Sequence, residues 1–284
     1  ALKESKLALA YLGDSEAIHI IRATAYGREG MFSNAIVEYR AALRFAPNDG
    51  TLYMDLGNVY FSQQRYHQAI AELTTAGKYL PNDALIYAML ARSYAGLPDR
   101  RQTMDNIQKA EALADHPPTA PDAATWIPSD IYVDTGEALS TLGDRKGAME
   151  RFSRALVAPE SNRVGVRLAI AQLMAQRGET GPAERQIALA QMEAEAGVTE
   201  PPTGQQYLQA AGILQELHEY QISQTYLERA LAAGASDIDV RVDLANSYLA
   251  LGQTSRAAGE LAAVSQADAA KSDYAYLLAQ AHVY

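Results

Sequence analysis

The chain has 284 residues, 24 of them Lys or Arg and 34 Asp or Glu, which gives a net charge of -10. This acidic balance opposes the phosphate neutralisation on which sequence-independent nucleic-acid binding rests, and it opposes adhesion to an anionic membrane surface. Cysteine is absent, which excludes disulfides, thiolate catalysis and thiolate metal sites but does not assign a compartment.

Along the chain the same pattern returns. Ala1 and Ala8 lie 34 residues before Ala35 and Ala42, so residues 1–12 read as the second helix of a preceding pair. Residues 16–49 form the first full unit. Its first helix carries His19, Ala23 and Tyr26, and Gly30 breaks the chain. Its second helix places Ala35, Tyr39, Ala42 and Leu43 on one apolar stripe at three- and four-residue spacing. Pro47 ends that helix, and Asn48-Asp49 cap the next. Residues 50–83 repeat the pattern with Tyr53, Leu56, Gly57, Tyr60, Ala69, Leu73, Ala76 and Pro81. Residues 84–117 do so with Tyr87, Leu90, Ala91, Tyr94, Ile107 and Ala110.

A Pro-rich insertion at 118–128, which holds the only tryptophan, Trp126, then shifts the period by 11 residues. Its prolines favour extended chain, and Trp126 is expected to tuck onto the neighbouring helix, with an exposed hook as the alternative. Residues 129–162 resume with Tyr132, Gly136, Gly143, Ala148, Phe152 and Ala155. Residues 163–197 carry a weaker copy, with Ile170, Ala171, Gly178, Ala183, Ile187 and Ala190. After a second insertion near Gly197–Gly204 come 204–237, with Tyr207, Ala211, Leu227 and Ala230. Residues 238–271 hold Leu244, Ala245, Tyr248, Gly252, Ala257 and Leu261. Leu278-Ala279, in 272–284, read as the first half of a further unit. Neither end looks like the polar cap that terminal repeats need, so the chain is expected to be part of a longer array.

A period near 34 is the signature of stacked helix–turn–helix units. These residues resemble the tetratricopeptide repeat, whose pattern runs bulky residue, Leu-Gly or Leu-Ala, Tyr, then Ala, an aromatic or Leu, Ala, and Pro. The resemblance implies an all-α, right-handed α-solenoid of about seven units, a single superhelix with half-repeats at both ends. Tyr26, Tyr60, Tyr94 and Tyr248 then read as core, with Ala42 and Ala76 letting paired helices approach.

No catalytic set emerges. The five histidines are scattered, with no H-E-x-x-H, nucleophile elbow or phosphate loop. His19 sits at a packing position. Asp130, Asp134 and Glu137 share one helical face, as do Asp239, Asp243 and Asn246. A straight helix lines carboxylates up without wrapping them round a cation, so a solvated acidic face is expected and no metal. No enzyme activity and no cofactor are expected.

The resemblance further implies that first helices line a concave surface. That register places Arg28, Asp55, Asn58, Ser62 and Arg92 along the front of the groove, with Asp130, Asp134, Glu137, Gln172 and Gln176 in continuation. Gln205, Gln209, Glu216, Asp239, Asp243 and Asn246 complete it. Amides suit the backbone of an extended peptide, and carboxylates suit a partner segment bearing Lys or Arg. Some family members hold a C-terminal carboxylate with paired Lys and Asn. Here Asn58 and Asn246 are present, but Met54 and Val242 stand near the Lys positions, so that clamp is not expected. The reading is a non-enzymatic protein-binding scaffold. Its alternative is the periplasmic portion of a bacterial envelope-assembly or polysaccharide-export component, and a third reading is a regulatory module of a larger enzyme.

Overall fold

The computed structural model describes residues 15–28, 30–115, 128–158, 162–195, 197 and 199–267. Among the described residues there are fourteen helices and no strand. They pair as hairpins: α1 (Glu16–Arg28) with α2 (Phe32–Phe45), α3 (Gly50–Ser62) with α4 (Tyr66–Tyr79), and α5 (Ala84–Gly96) with α6 (Arg100–Asp115). Next come α7 (Pro128–Thr141) with α8 (Arg145–Val157), and α9 (Arg163–Ala175) with α10 (Thr180–Glu195). The last are α11 (Gly204–Glu216) with α12 (Tyr220–Ala232), and α13 (Asp237–Ala250) with α14 (Thr254–Ala267). Trp126 and both terminal half-units lie outside the described residues. The chain divides into two compact units, one holding α1–α8 and the other α9–α14, with the boundary after residue 161.

Local chemistry explains the boundaries. Asp49 caps α3 by accepting the Thr51 amide at 2.8 Å, and Asp83 caps α5 through Leu85 at 3.0 Å. The carbonyls of Pro47 and Pro81 each accept the hydroxyl of a tyrosine one helical turn into the next hairpin, Tyr53 and Tyr87, both at 3.0 Å. Thr203 and Gln206 form a reciprocal capping box on α11.

The hairpins close on small residues. Ala42, Ala76 and Ala110 are fully buried, and a Cβ at Gly57 would lie 2.7 Å from Leu73 Cγ. Tyr60 is buried, while Tyr26, Tyr94 and Tyr248 are half-buried and pack against core clusters. Burial of residues such as Leu52, Leu56 and Leu73 contributes roughly 1.5–3 kcal/mol each.

Successive hairpins stack unequally. Among the described residues the first helices of adjacent hairpins meet at α3–α5, α5–α7, α9–α11 and α11–α13, α5 with α7 and α9 with α11 most closely, whereas their second helices scarcely meet. The shorter, inner side of each stack is therefore made by first helices. A first helix ordinarily packs on the second helix before it, as α3, α5 and α13 do. After each insertion this changes: α7 packs mainly on α5, and α11 packs on α9. A longer connection frees the next hairpin to dock one helix further back.

Candidate functional site

In the first unit, Arg28 is exposed in the last turn of α1, where a cation favours the helix dipole. Asp55 on α3 is half-buried. Burial pushes its carboxyl up to about 6, against the opposing pull of the Tyr39 hydroxyl from α2. Asn58, one turn on, is exposed, as is Ser62.

Arg92 on α5 is the centre of a tight group. Its Nη1 donates to Asp134 Oδ1 at 2.8 Å, its Nη2 lies 2.8 Å from Glu137 Oε2, and its guanidinium covers the Phe61 ring at 4.5 Å. The expected solvated acidic face is therefore corrected for Asp134, which is buried and ion-paired, and for Glu137, which is paired and half-buried. The physical reason is the docking of α7 against α5, which turns this stripe towards Arg92. Burial raises Asp134 to about 6 even with Arg92 beside it. Asp130 remains exposed at the edge of α7.

In the second unit, the Gln172 amide donates to Glu216 Oε2 at 2.7 Å, tying α9 to α11. Gln176, Gln205, Gln209, Asp239 and Asn246 are exposed. Asp243 is half-buried, and burial followed by the nearby charge of Asp239 raises its carboxyl. Gln215, which the sequence did not mark, reaches from α11 to α13 and donates to Ser247 Oγ at 2.8 Å and to the Asp243 carbonyl at 2.9 Å. Phe61 was missed likewise, and Tyr39, read from the sequence as part of an apolar stripe, also bonds Asp55 through its hydroxyl. A side chain across the inter-helix gap leaves no periodic trace, although Arg92 does stand directly after the small Ala91.

His19 is buried, its Nδ1 2.6 Å from Glu38 Oε2, and Arg22 holds the other oxygen of Glu38 at 2.7 Å. This group pins α1 to α2. Among the described residues no three Asp, Glu or His side chains are grouped to hold a metal ion, and no helix is long and apolar enough to cross a membrane.

The sequence pattern of the tetratricopeptide repeat matches residues 28–93 and 205–281, together half of the chain. The chain belongs to the tetratricopeptide repeat family. A tetratricopeptide repeat protein from Parabacteroides merdae is 19% identical, with 95% of this chain and 100% of that one covered and a TM-score of 0.54. Yeast Tom70 is 14% identical with a TM-score of 0.66; the match takes in 99% of this chain and 56% of Tom70, so the chain spans about half that protein's length. Pseudomonas aeruginosa pilF is 15% identical, with 82% and 97% covered and a TM-score of 0.52. No curated protein sequence matches the chain. At such identities the likeness is one of fold. Tetratricopeptide repeats are scaffolds that bind proteins or peptides and generally carry no catalysis, and this chain is a protein-interaction scaffold of that kind.

Proposed function

We propose that the inner side made by the first helices is the partner-binding face, and that it takes an extended protein segment carrying Arg or Lys. The observation that carries this reading is positional. Exposed amides and carboxylates recur on the first helices, at Asn58 and Asp130 in one unit and at Gln205, Gln209, Asp239 and Asn246 in the other. Amides serve a peptide backbone as donor and acceptor together, and unpaired carboxylates favour a cationic partner by steering and by contact. The net charge of -10 acts in the same direction at long range.

Because Asp134 is already neutralised by Arg92, the groups left for a partner are the exposed ones. A pull-down from lysate of the source organism compares wild type with Asp130→Lys/Asp239→Lys and with Glu228→Lys, an exposed second-helix control. A partner lost only with the double variant is the expected result. Equal capture by all three baits moves binding off the inner side.

A further inference from the structure

Asp55, Asp134 and Asp243 occupy one position of the repeat: each lies two residues before the buried small residue of its first helix, Gly57, Gly136 or Ala245. A carboxylate withdrawn from water there needs a donor. Asp134 has one in Arg92, which follows the small residue Ala91 of the preceding first helix. Asp55 has the Tyr39 hydroxyl, three residues before the buried Ala42 of the preceding second helix. At Asp243 both positions are vacated. The residue after the small Ala211 is Gly212, and the residue three before Ala230 is Leu227. Among the described residues the Asp243 carboxylate has neither a hydrogen bond nor an ion pair; Gln215 reaches its backbone carbonyl, not its side chain.

We propose that an arginine of a bound partner enters beside Gly212 and pairs with Asp243, taking at α11–α13 the part that Arg92 plays at α5–α7. Space is present, since a Cβ built on Gly212 would meet nothing within 4 Å. Where α5 and α7 pack tightly, α11 and α13 only graze, so the gap that Arg92 fills from within is open here to a side chain from outside. Gln215, bonded to Ser247, forms the end of that gap one turn along α11. Arg92 spends its two terminal nitrogens on acceptors three residues apart, Asp134 and Glu137. Their counterparts on α13 are Asp243 and the amide oxygen of Asn246, which suits a forked guanidinium better than a single ammonium. Asp239, one turn before Asp243, adds a second carboxylate at the mouth. Burial raises the Asp243 carboxyl, as expected of a group that lacks its cation.

This site rests on the reading of the inner side as the binding face, and its first test needs no natural partner. Amide NMR spectra of the full chain are recorded with a Gly-Ser peptide containing one central arginine, and with the same peptide carrying neutral, isosteric citrulline. The expected result is a saturable shift of amides around Gly212 and Asp243 with the arginine peptide, at least about tenfold weaker with citrulline. The shift disappears in Asp243→Asn and in Gly212→Arg, which supplies the missing cation from within, and persists in Gly212→Ala. Circular dichroism checks that each variant is folded. No shift at millimolar peptide, equal shifts with citrulline, or undiminished binding by Gly212→Arg would overturn the site. A natural partner lost with Asp130→Lys/Asp239→Lys but kept by Gly212→Arg would retain the binding face and remove the arginine site. Arginine-specific shifts without any face-dependent partner would support the site and remove the reading of the face.

Discussion

Asp55 shows what one withdrawn carboxyl does to stability. Burial lifts its folded-state pKa from 3.8 to about 6, more than the Tyr39 hydroxyl lowers it. The folded chain therefore holds this proton more tightly than the unfolded chain. The resulting contribution is fully present below pH about 4 and is lost as pH rises through about 6. Asp134 has the same sign and the same value, because burial outweighs Arg92. Glu193 runs the other way. Its bonds to Arg167 and Arg163 hold it at about 2, so its contribution is fully present above the ordinary value of 4.5 and is lost progressively as pH falls from there through about 2. Asp55→Asn mimics the protonated carboxyl and removes its titration. Its urea midpoint is expected to exceed wild type at pH about 7.5 and to approach it at pH about 3.5, where wild type is protonated in both the folded and the unfolded chain. An equal gain at both pH values would show that the substitution acts through packing instead of charge.

At the level of helices, two first-helix glycines in different surroundings should respond with opposite signs. A Cβ at Gly136 would lie 2.6 Å from Phe152 Cε1, and the fully buried Phe152 ring has nowhere to swing. Gly136→Ala gains about 1 kcal/mol of helix propensity but overpacks the α7–α8 crossing at about 1–3 kcal/mol, so net destabilisation is expected. At Gly212 only the first effect operates, and Gly212→Ala should stabilise by up to about 1 kcal/mol. Urea unfolding of both variants settles the comparison, and the same sign in each would contradict this account of the hairpin crossing. The hairpins were legible in the sequence because Ala42, Ala76 and Ala110 keep a period set by local helix packing. The docking of α7 on α5 was not legible, since the Pro-rich insertion breaks the period that would have placed it. Likewise, helical spacing correctly put Asp130, Asp134 and Glu137 on one stripe but could not say what faced it. Arg92 is 42 residues from Asp134, and only the fold brings them together.

Among the described residues of each compact unit, every hairpin packs on its neighbours in the stack, so stability accumulates as local terms and not through one central core. The membership of this fold was readable from composition and period, whereas the identity of its partner was not, because groove residues are free of the packing rules that make a period visible. Asn58 and Gln209 could be exchanged for many polar residues without disturbing a helix; Ala76 and Leu73 could not. The local character of the stack has a measurable consequence in Phe152→Ala. Phe152 is buried at the α7–α8 crossing, and truncating it removes about 3–5 kcal/mol of packing and transfer energy. In a single cooperative globule that loss would accelerate amide exchange wherever exchange requires global opening. In a stack of neighbours it should accelerate exchange in α7 and α8, extend to α5 through their direct contact, and leave α11–α14 at wild-type protection. Hydrogen exchange followed by mass spectrometry resolves these segments. Equal acceleration in α11–α14 would mean that the chain unfolds as one body, and the nearest-neighbour description would then fail.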